Sequence, residues 1–160
     1  MKRVLIFCFA ICCLTCDAQK RRQNVVYAEL LGNGFLGSVN FEKSLPLKPY
    51  FAIRCGIGMY GLKNKAVTVP VSLHYLLKTN PGEYWDFGAG ITYSGVSVVE
   101  LYSFIETRNP PSNKYSISFI PSVGYRNHIS KKIMWRISAM PVITKAELLP
   151  FAGISLGKLF

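Results

Sequence analysis

Apolar side chains recur at every second position through nearly the whole chain from about residue 25 to Phe160, and in most segments they fall on odd numbers. Residues 50–61 set Phe51, Ile53, Cys55, Ile57 and Met59 against Ala52, Arg54, Gly56, Gly58 and Tyr60. Residues 66–78 set Val67, Val69, Val71, Leu73, Tyr75 and Leu77 against Thr68, Ser72 and His74. The parity persists through 83–94 (Trp85, Phe87, Ala89, Ile91 and Tyr93), 114–126 (Tyr115, Ile117, Phe119, Pro121, Val123 and Tyr125) and 132–143 (Ile133, Trp135, Ile137, Ala139 and Ile143). A first segment at about 25–32 puts Val26, Ala28 and Leu30 opposite Tyr27 and Glu29, and a second at 35–45 puts Phe35, Val39 and Phe41 opposite Ser38, Asn40 and Glu42. From about 150 the apolar set is Ala152, Ile154, Leu156 and Phe160, opposed by Gly153, Ser155 and Gly157. A period of two is the signature of strands with one apolar face, and the segments number eight.

The opposite face decides which solvent the apolar face meets. A soluble sandwich or barrel hides its large apolar residues inside and turns polar ones to water. Here the opposite positions include Gly56, Gly58, Gly88, Gly90, Gly124, Gly153 and Gly157. These are poor choices for a water-facing surface but suitable for a narrow lumen, where side chains must fit a taper. Strands of ten to thirteen residues at about 3.3 Å each and tilted about 45° would span roughly 25–30 Å, the apolar thickness of an outer membrane. The expected fold is therefore all-β, an eight-stranded antiparallel up-and-down transmembrane β-barrel, with a soluble exported β-barrel binding protein as the rival. Pro70, Pro121 and Pro141 lack a ladder donor, so each is expected at a bulge.

The first eighteen residues stand apart from this pattern. Met1, Lys2 and Arg3 form a basic start, Val4 to Leu14 is an unbroken apolar run, and Ala18 precedes Gln19, as in a cleaved secretory signal. The expected division is thus a signal over 1–18 and one barrel domain over 19–160. Four of the five cysteines, Cys8, Cys12, Cys13 and Cys16, fall in the signal, which leaves Cys55 and excludes a disulfide framework in the mature chain. Lipidation at Cys16 is the alternative, although Thr15 stands where a lipobox carries a small Gly or Ala. With the amino terminus in the periplasm, the short linkers 46–49, 79–82 and 127–131 fall inside, and the longest connection, 95–113, falls outside.

Charge narrows the partners. The chain carries +11, and an exported basic protein meets lipid phosphates and lipopolysaccharide before it meets nucleic acid. Outside Lys20, Arg21, Arg22 and the pair Lys131 and Lys132, the bases are single residues near turns, unlike a nucleic-acid footprint. Outer-membrane lipids and lipopolysaccharide are accordingly the expected partners, no nucleic acid is expected, and the protein is read as a monomer.

Inward parity collects Glu29, Glu42, Arg54, His74, Asp86, Arg126 and Arg136 in the half of the lumen nearer the termini. Confined charges persist only when paired, and the planar guanidinium suits such pairing, so a charge network that plugs the lumen is expected. Above it, Gly58, Tyr60, Thr68, Gly90, Thr92, Ser116 and Ser118 would line a shallow pocket. Trp85, Tyr93, Tyr115, Tyr125 and Trp135 share outward parity near the strand ends, as membrane-interface aromatics do. No catalytic, cofactor-binding or metal residues are assigned. Ser72 and His74 share a strand face about 7 Å apart with no evident third partner, and two histidines with one mature cysteine make a poor metal site.

Taken together, these features resemble the small eight-stranded outer-membrane β-barrel proteins of Gram-negative bacteria. The closest correspondence is the last strand, in which Ile154, Leu156 and the terminal Phe160 match the alternating, Phe-ended signature that barrel-assembly machinery reads; Lys158 departs from it. The resemblance implies insertion in the bacterial cell outer membrane and contact with that machinery. Within such a family the leading expectation is a non-enzymatic barrel with a structural or surface-interaction role, an unidentified surface ligand at 95–113 and no cofactor. A narrow pore for small solutes is the alternative, and a lipid-modifying barrel enzyme ranks lower.

Overall fold

The computed structural model describes residues 24–45, 48, 50–60, 66–95, 115–143 and 148–160. The expected signal 1–18 with Cys16, and the connection 95–113 after Gly95, lie outside the described residues. Strands β1 (Asn24–Gly32), β2 (Phe35–Ser44), β3 (Phe51–Tyr60), β4 (Ala66–Asn80), β5 (Glu83–Ser94) and β6 (Ser116–His128) pair antiparallel in succession. The seventh stave is β7 (Ile133–Ala139) continued by the short β8 (Val142–Ile143), and the eighth is β9 (Leu148–Leu149) continued by β10 (Ala152–Leu159). Because β10 pairs with β7 on one side and β1 on the other, the sheet closes into an eight-staved antiparallel barrel. The seam is fastened at the termini, where Asn24 and Phe160 exchange both backbone hydrogen bonds at 3.1 and 3.0 Å. Closure leaves β1 to β7 and β10 each paired on both sides, with no free edge along these strands.

The alternation along the chain decides which side chains face in. On β4 the pattern from Ala66 to Leu77 alternates buried and exposed at every residue. Outward Ile57, Val67, Ile117 and Leu156 are 68%, 64%, 70% and 62% exposed, whereas inward Arg54, His74, Asp86 and Arg136 are each 1% exposed. Polarity is therefore inverted relative to a water-soluble protein, and the belt of large apolar side chains far exceeds the apolar patches that soluble monomers tolerate.

The prolines do not sit at bulges. Register shifts occur at Phe35/Gly37 and Lys78/Asn80 instead. Pro70 pairs with Thr92, and Pro121 with Ala89, in unbroken register. The missing donors are accommodated by lapses in the neighbouring ladder. Between β3 and β4 pairing stops after Cys55↔Val71 and resumes unshifted at Gly58↔Thr68, beside Pro70. Between β6 and the seventh stave it stops after Val123↔Ala139 and resumes at Phe119↔Ile143, which sets Pro121 opposite Pro141. A proline removes one bond, not a residue of length, and two prolines facing each other leave a gap with no N–H of their own to orphan. The same gap interrupts the expected continuous strand 132–143, while on its other side the Met140 N–H bonds to the Phe151 carbonyl of the eighth stave at 2.7 Å.

At the end of the barrel away from the termini, the turn joining β1 and β2 folds into the lumen. The Thr68 hydroxyl on β4 donates to the Gly34 carbonyl at 3.0 Å, and the Thr92 hydroxyl on β5 donates to the Asn33 carbonyl at 2.7 Å. Asn33 and Phe35 are 1% and 0% exposed. To turn inward the chain takes left-handed backbone at Leu31 (φ 54°) and Phe35 (φ 70°), a conformation that costs a non-glycine residue about 1–2 kcal/mol. Small residues give it room: a Cβ on Gly58 would lie 2.8 Å from the Gly34 carbonyl oxygen, and one on Gly153 2.7 Å from the Leu31 carbonyl oxygen. This corrects the expected shallow pocket, because Gly58, Thr68 and Thr92 hold the turn instead of lining open space. The side chain of Tyr60 lies outside the described residues.

Candidate functional site: a buried charge cluster in the lumen

The seven inward charged or titratable residues converge from seven staves, one from each of β1 to β7. Register places Glu42 beside Arg54, and Arg126 beside Arg136, each pair on neighbouring strands of one face. Two arginines side by side repel, and the cluster resolves this with carboxylates. Asp86 Oδ2 accepts from Arg126 Nη2 at 2.9 Å and from Arg136 Nη1 at 3.2 Å. Arg126 also grips Glu42 across the barrel through two bonds of 2.6 and 2.7 Å, the bidentate fork that gives charged pairs their strength. Arg136 donates to Glu29 at 2.6 Å and to the Ser155 hydroxyl at 3.1 Å, and Ser155 in turn donates to Glu29 at 3.2 Å.

Arg54 occupies the middle of this ring without touching it directly. Its guanidinium lies 3.9 Å from Glu29, 3.8 Å from Glu42 and 4.0 Å from Asp86, beyond hydrogen-bond length. Beneath it the Tyr27 ring supports two cations, with Arg54 and Arg136 each 5.1 Å from its centroid. Val25, Tyr27, Met134 and Leu159 form an apolar floor toward the termini. Three guanidiniums thus balance three carboxylates in a space closed by apolar side chains below and by the β1–β2 turn above.

His74 belongs to the cluster, and Asp86 supplies the third partner that the Ser72 and His74 pair was not expected to have. Its Nδ1 meets Asp86 Oδ1 at 2.5 Å and its Nε2 meets the Ser72 hydroxyl at 2.9 Å. The strand spacing of about 7 Å overstated the separation because the imidazole reaches along the lumen wall toward the serine. Ser72, His74 and Asp86 have the atom order of a hydrolase triad. The nucleophile position is nevertheless 4% exposed, and its Cβ is packed where a side chain on Gly90 would lie 2.5 Å away. Asp86 is also committed through its other oxygen to two arginines. The arrangement satisfies the buried imidazole and offers no approach to the hydroxyl. Among the described residues, no group of three or more His, Cys, Asp and Glu side chains is placed to hold a metal ion.

The outward aromatics gather at the two ends. Trp85 and Tyr125 lie 5.8 Å apart by ring centroid, as do Tyr125 and Trp135, near the terminus-bearing end. Tyr93 and Tyr115 stack at 5.6 Å near the other. Ile154, Leu156 and Phe160 all face outward at 53%, 62% and 63% exposure, and Phe160 leans toward Phe41 with centroids 6.3 Å apart. Tyr27, Ser72 and Ser155 were not among the sequence-derived site residues. Their inward parity beside Arg54, His74 and Glu29 was the available signal.

No protein-family model and no curated protein matches the sequence. Solved structures do match the fold. The N-terminal β-barrel domain of OprF from Pseudomonas aeruginosa aligns with a TM-score of 0.64 at 10% identity, covering 88% of this chain and 98% of that one. The Yersinia pestis outer membrane protein Ail, solved in phospholipid bilayer nanodiscs, aligns with a TM-score of 0.54 at 8% identity, covering 88% of this chain and 100% of the other.

Proposed function

We propose that the chain is a non-enzymatic barrel of the Gram-negative outer membrane, a structural or surface-interaction scaffold whose lumen is closed to solutes. The carrying observation is the inverted polarity: buried charges gathered with their counter-charges inside, and large apolar side chains exposed outside. That exterior requires an apolar solvent, and Ail, similar in fold, is a protein of the outer membrane. On this reading Trp85, Tyr125 and Trp135 lie at one membrane interface and Tyr93 and Tyr115 at the other. The outward face of Ile154, Leu156 and Phe160 is presented to the barrel-assembly machinery.

Fractionation of cell envelopes tests the reading. The protein is expected in the outer-membrane band of a density gradient, extractable only by detergent, with unheated and boiled samples migrating differently on a gel because the barrel resists cold detergent. Recovery in the soluble periplasmic fraction contradicts it.

A further inference from the structure

The lumen is electrically neutral in its strong charges, so the net charge of the protein resides elsewhere, and strand direction shows where. Lys43 at the end of β2, Lys48 in the following link, Lys78 near the end of β4, Lys131 and Lys132 between β6 and β7, and Lys158 near the end of β10 all lie at the rim that carries both termini. Glu83, bonded to Asn80 at 2.7 Å, is the one acidic side chain at that rim among the described residues. Lys20, Arg21 and Arg22 precede β1 closely in sequence. The segments that join the strands at the opposite end contain five basic and three acidic residues, Lys63, Lys65, Arg108, Lys114 and Lys145 against Glu100, Glu106 and Glu147. The basic excess is therefore concentrated at the terminus-bearing rim.

We propose that this rim binds the phosphates of anionic phospholipids in the leaflet it faces. The inference rests on the membrane reading above and adds a lipid preference and a side to it. The lysines are distributed around the ring of staves, as a lipid annulus requires, and not gathered in one concave patch as a folded partner would favour. Lys158 stands at the margin of the apolar belt: it shares its outward face with Leu156 and Ile154, and its backbone pairs with Val26 and Ile133. Next to it the 129–132 turn is braced by the Ser130 hydroxyl, which accepts from the N–H groups of Lys132 and Ile133 at 3.2 Å each. The neighbouring Trp85, Tyr125 and Trp135 cluster occupies the level at which aromatic rings meet head groups. Lysine beside an anionic surface is attracted in just this position. A terminus-bearing rim faces the periplasm on the proposed orientation, so its counterion is phospholipid and not the lipopolysaccharide of the outer leaflet.

The test refolds the full mature chain into phosphatidylcholine vesicles and measures, with spin-labelled lipids, how strongly phosphatidylglycerol is held at the protein surface relative to phosphatidylcholine. Wild-type protein is expected to favour the anionic label about fivefold, the weight of roughly one lysine per contacted head group, with the preference falling at high salt. The quadruple variant Lys78→Gln, Lys131→Gln, Lys132→Gln and Lys158→Gln is expected to lose it, and the corresponding Lys→Arg variant to retain it. Insertion without preference, or a preference unchanged in the glutamine variant, overturns this inference alone. Absence of any motionally restricted lipid with either label overturns the membrane reading and this inference with it.

Discussion

Replacing Asp86 with alanine is expected to destabilise the folded barrel by about 3–5 kcal/mol, the cost of leaving buried charges without their partner. Asp86 is the hub of the lumen. Its two oxygens accept from His74, Arg126 and Arg136, and all four side chains are 1% exposed. Without it the adjacent Arg126 and Arg136 face each other with nothing between them. Arg54→Met is the informative comparison, because Arg54 approaches the three carboxylates only at 3.8 to 4.0 Å and each of them keeps a direct arginine bond in its absence. Its loss is expected to be less than half that of Asp86→Ala. Urea unfolding in lipid vesicles, followed by tryptophan fluorescence, measures both. Equal losses would contradict the assignment of Asp86 as hub.

Gly58→Val is expected to expel the β1–β2 turn from the lumen and to destabilise the barrel by about 2–4 kcal/mol, combining overpacking with the loss of buried hydrogen bonds. An added Cβ would stand 2.6 Å from the Thr68 hydroxyl, 2.8 Å from the Gly34 oxygen and 2.9 Å from the Gly34 Cα. Two of those three atoms are backbone, so side-chain rotation cannot relieve the clash. Once the turn moves, Thr68 and Thr92 lose their carbonyl acceptors and Phe35 its burial. Thr92→Val, which removes a single bond to Asn33, is expected to cost about 1–3 kcal/mol. The same unfolding measurement ranks the two, and a neutral Gly58→Val would mean that the turn does not need the space the glycine leaves.

Strand number, parity and closure were legible in the chain because membrane and lumen impose opposite demands on alternate residues, so each of the eight segments carried the same message independently. The seven lumen charges were legible for the same reason: a charge on the small-residue face has only the interior to occupy. Three features were not legible. The Ser72–His74–Asp86 alignment depends on imidazole direction, which strand spacing does not encode. The inward turn depends on Leu31 and Phe35 adopting left-handed backbone that neither residue favours intrinsically, supported by Thr68 and Thr92 from strands far away in sequence. The proline positions depend on pairing register, which sets Pro121 and Pro141 opposite each other and a lapse in the ladder beside Pro70.

The closed lumen that we propose amounts to a single claim about transport. Below lies a neutral network in which Arg126 and Arg136 bridge the lumen to Glu42, Asp86 and Glu29; above lies a turn bonded to the far wall. Planar-bilayer recording of the purified chain tests that claim most directly. The account predicts a membrane that stays at baseline conductance after the protein has inserted, with no lasting unitary steps. A steady open channel of reproducible size from the pure wild-type protein would contradict it.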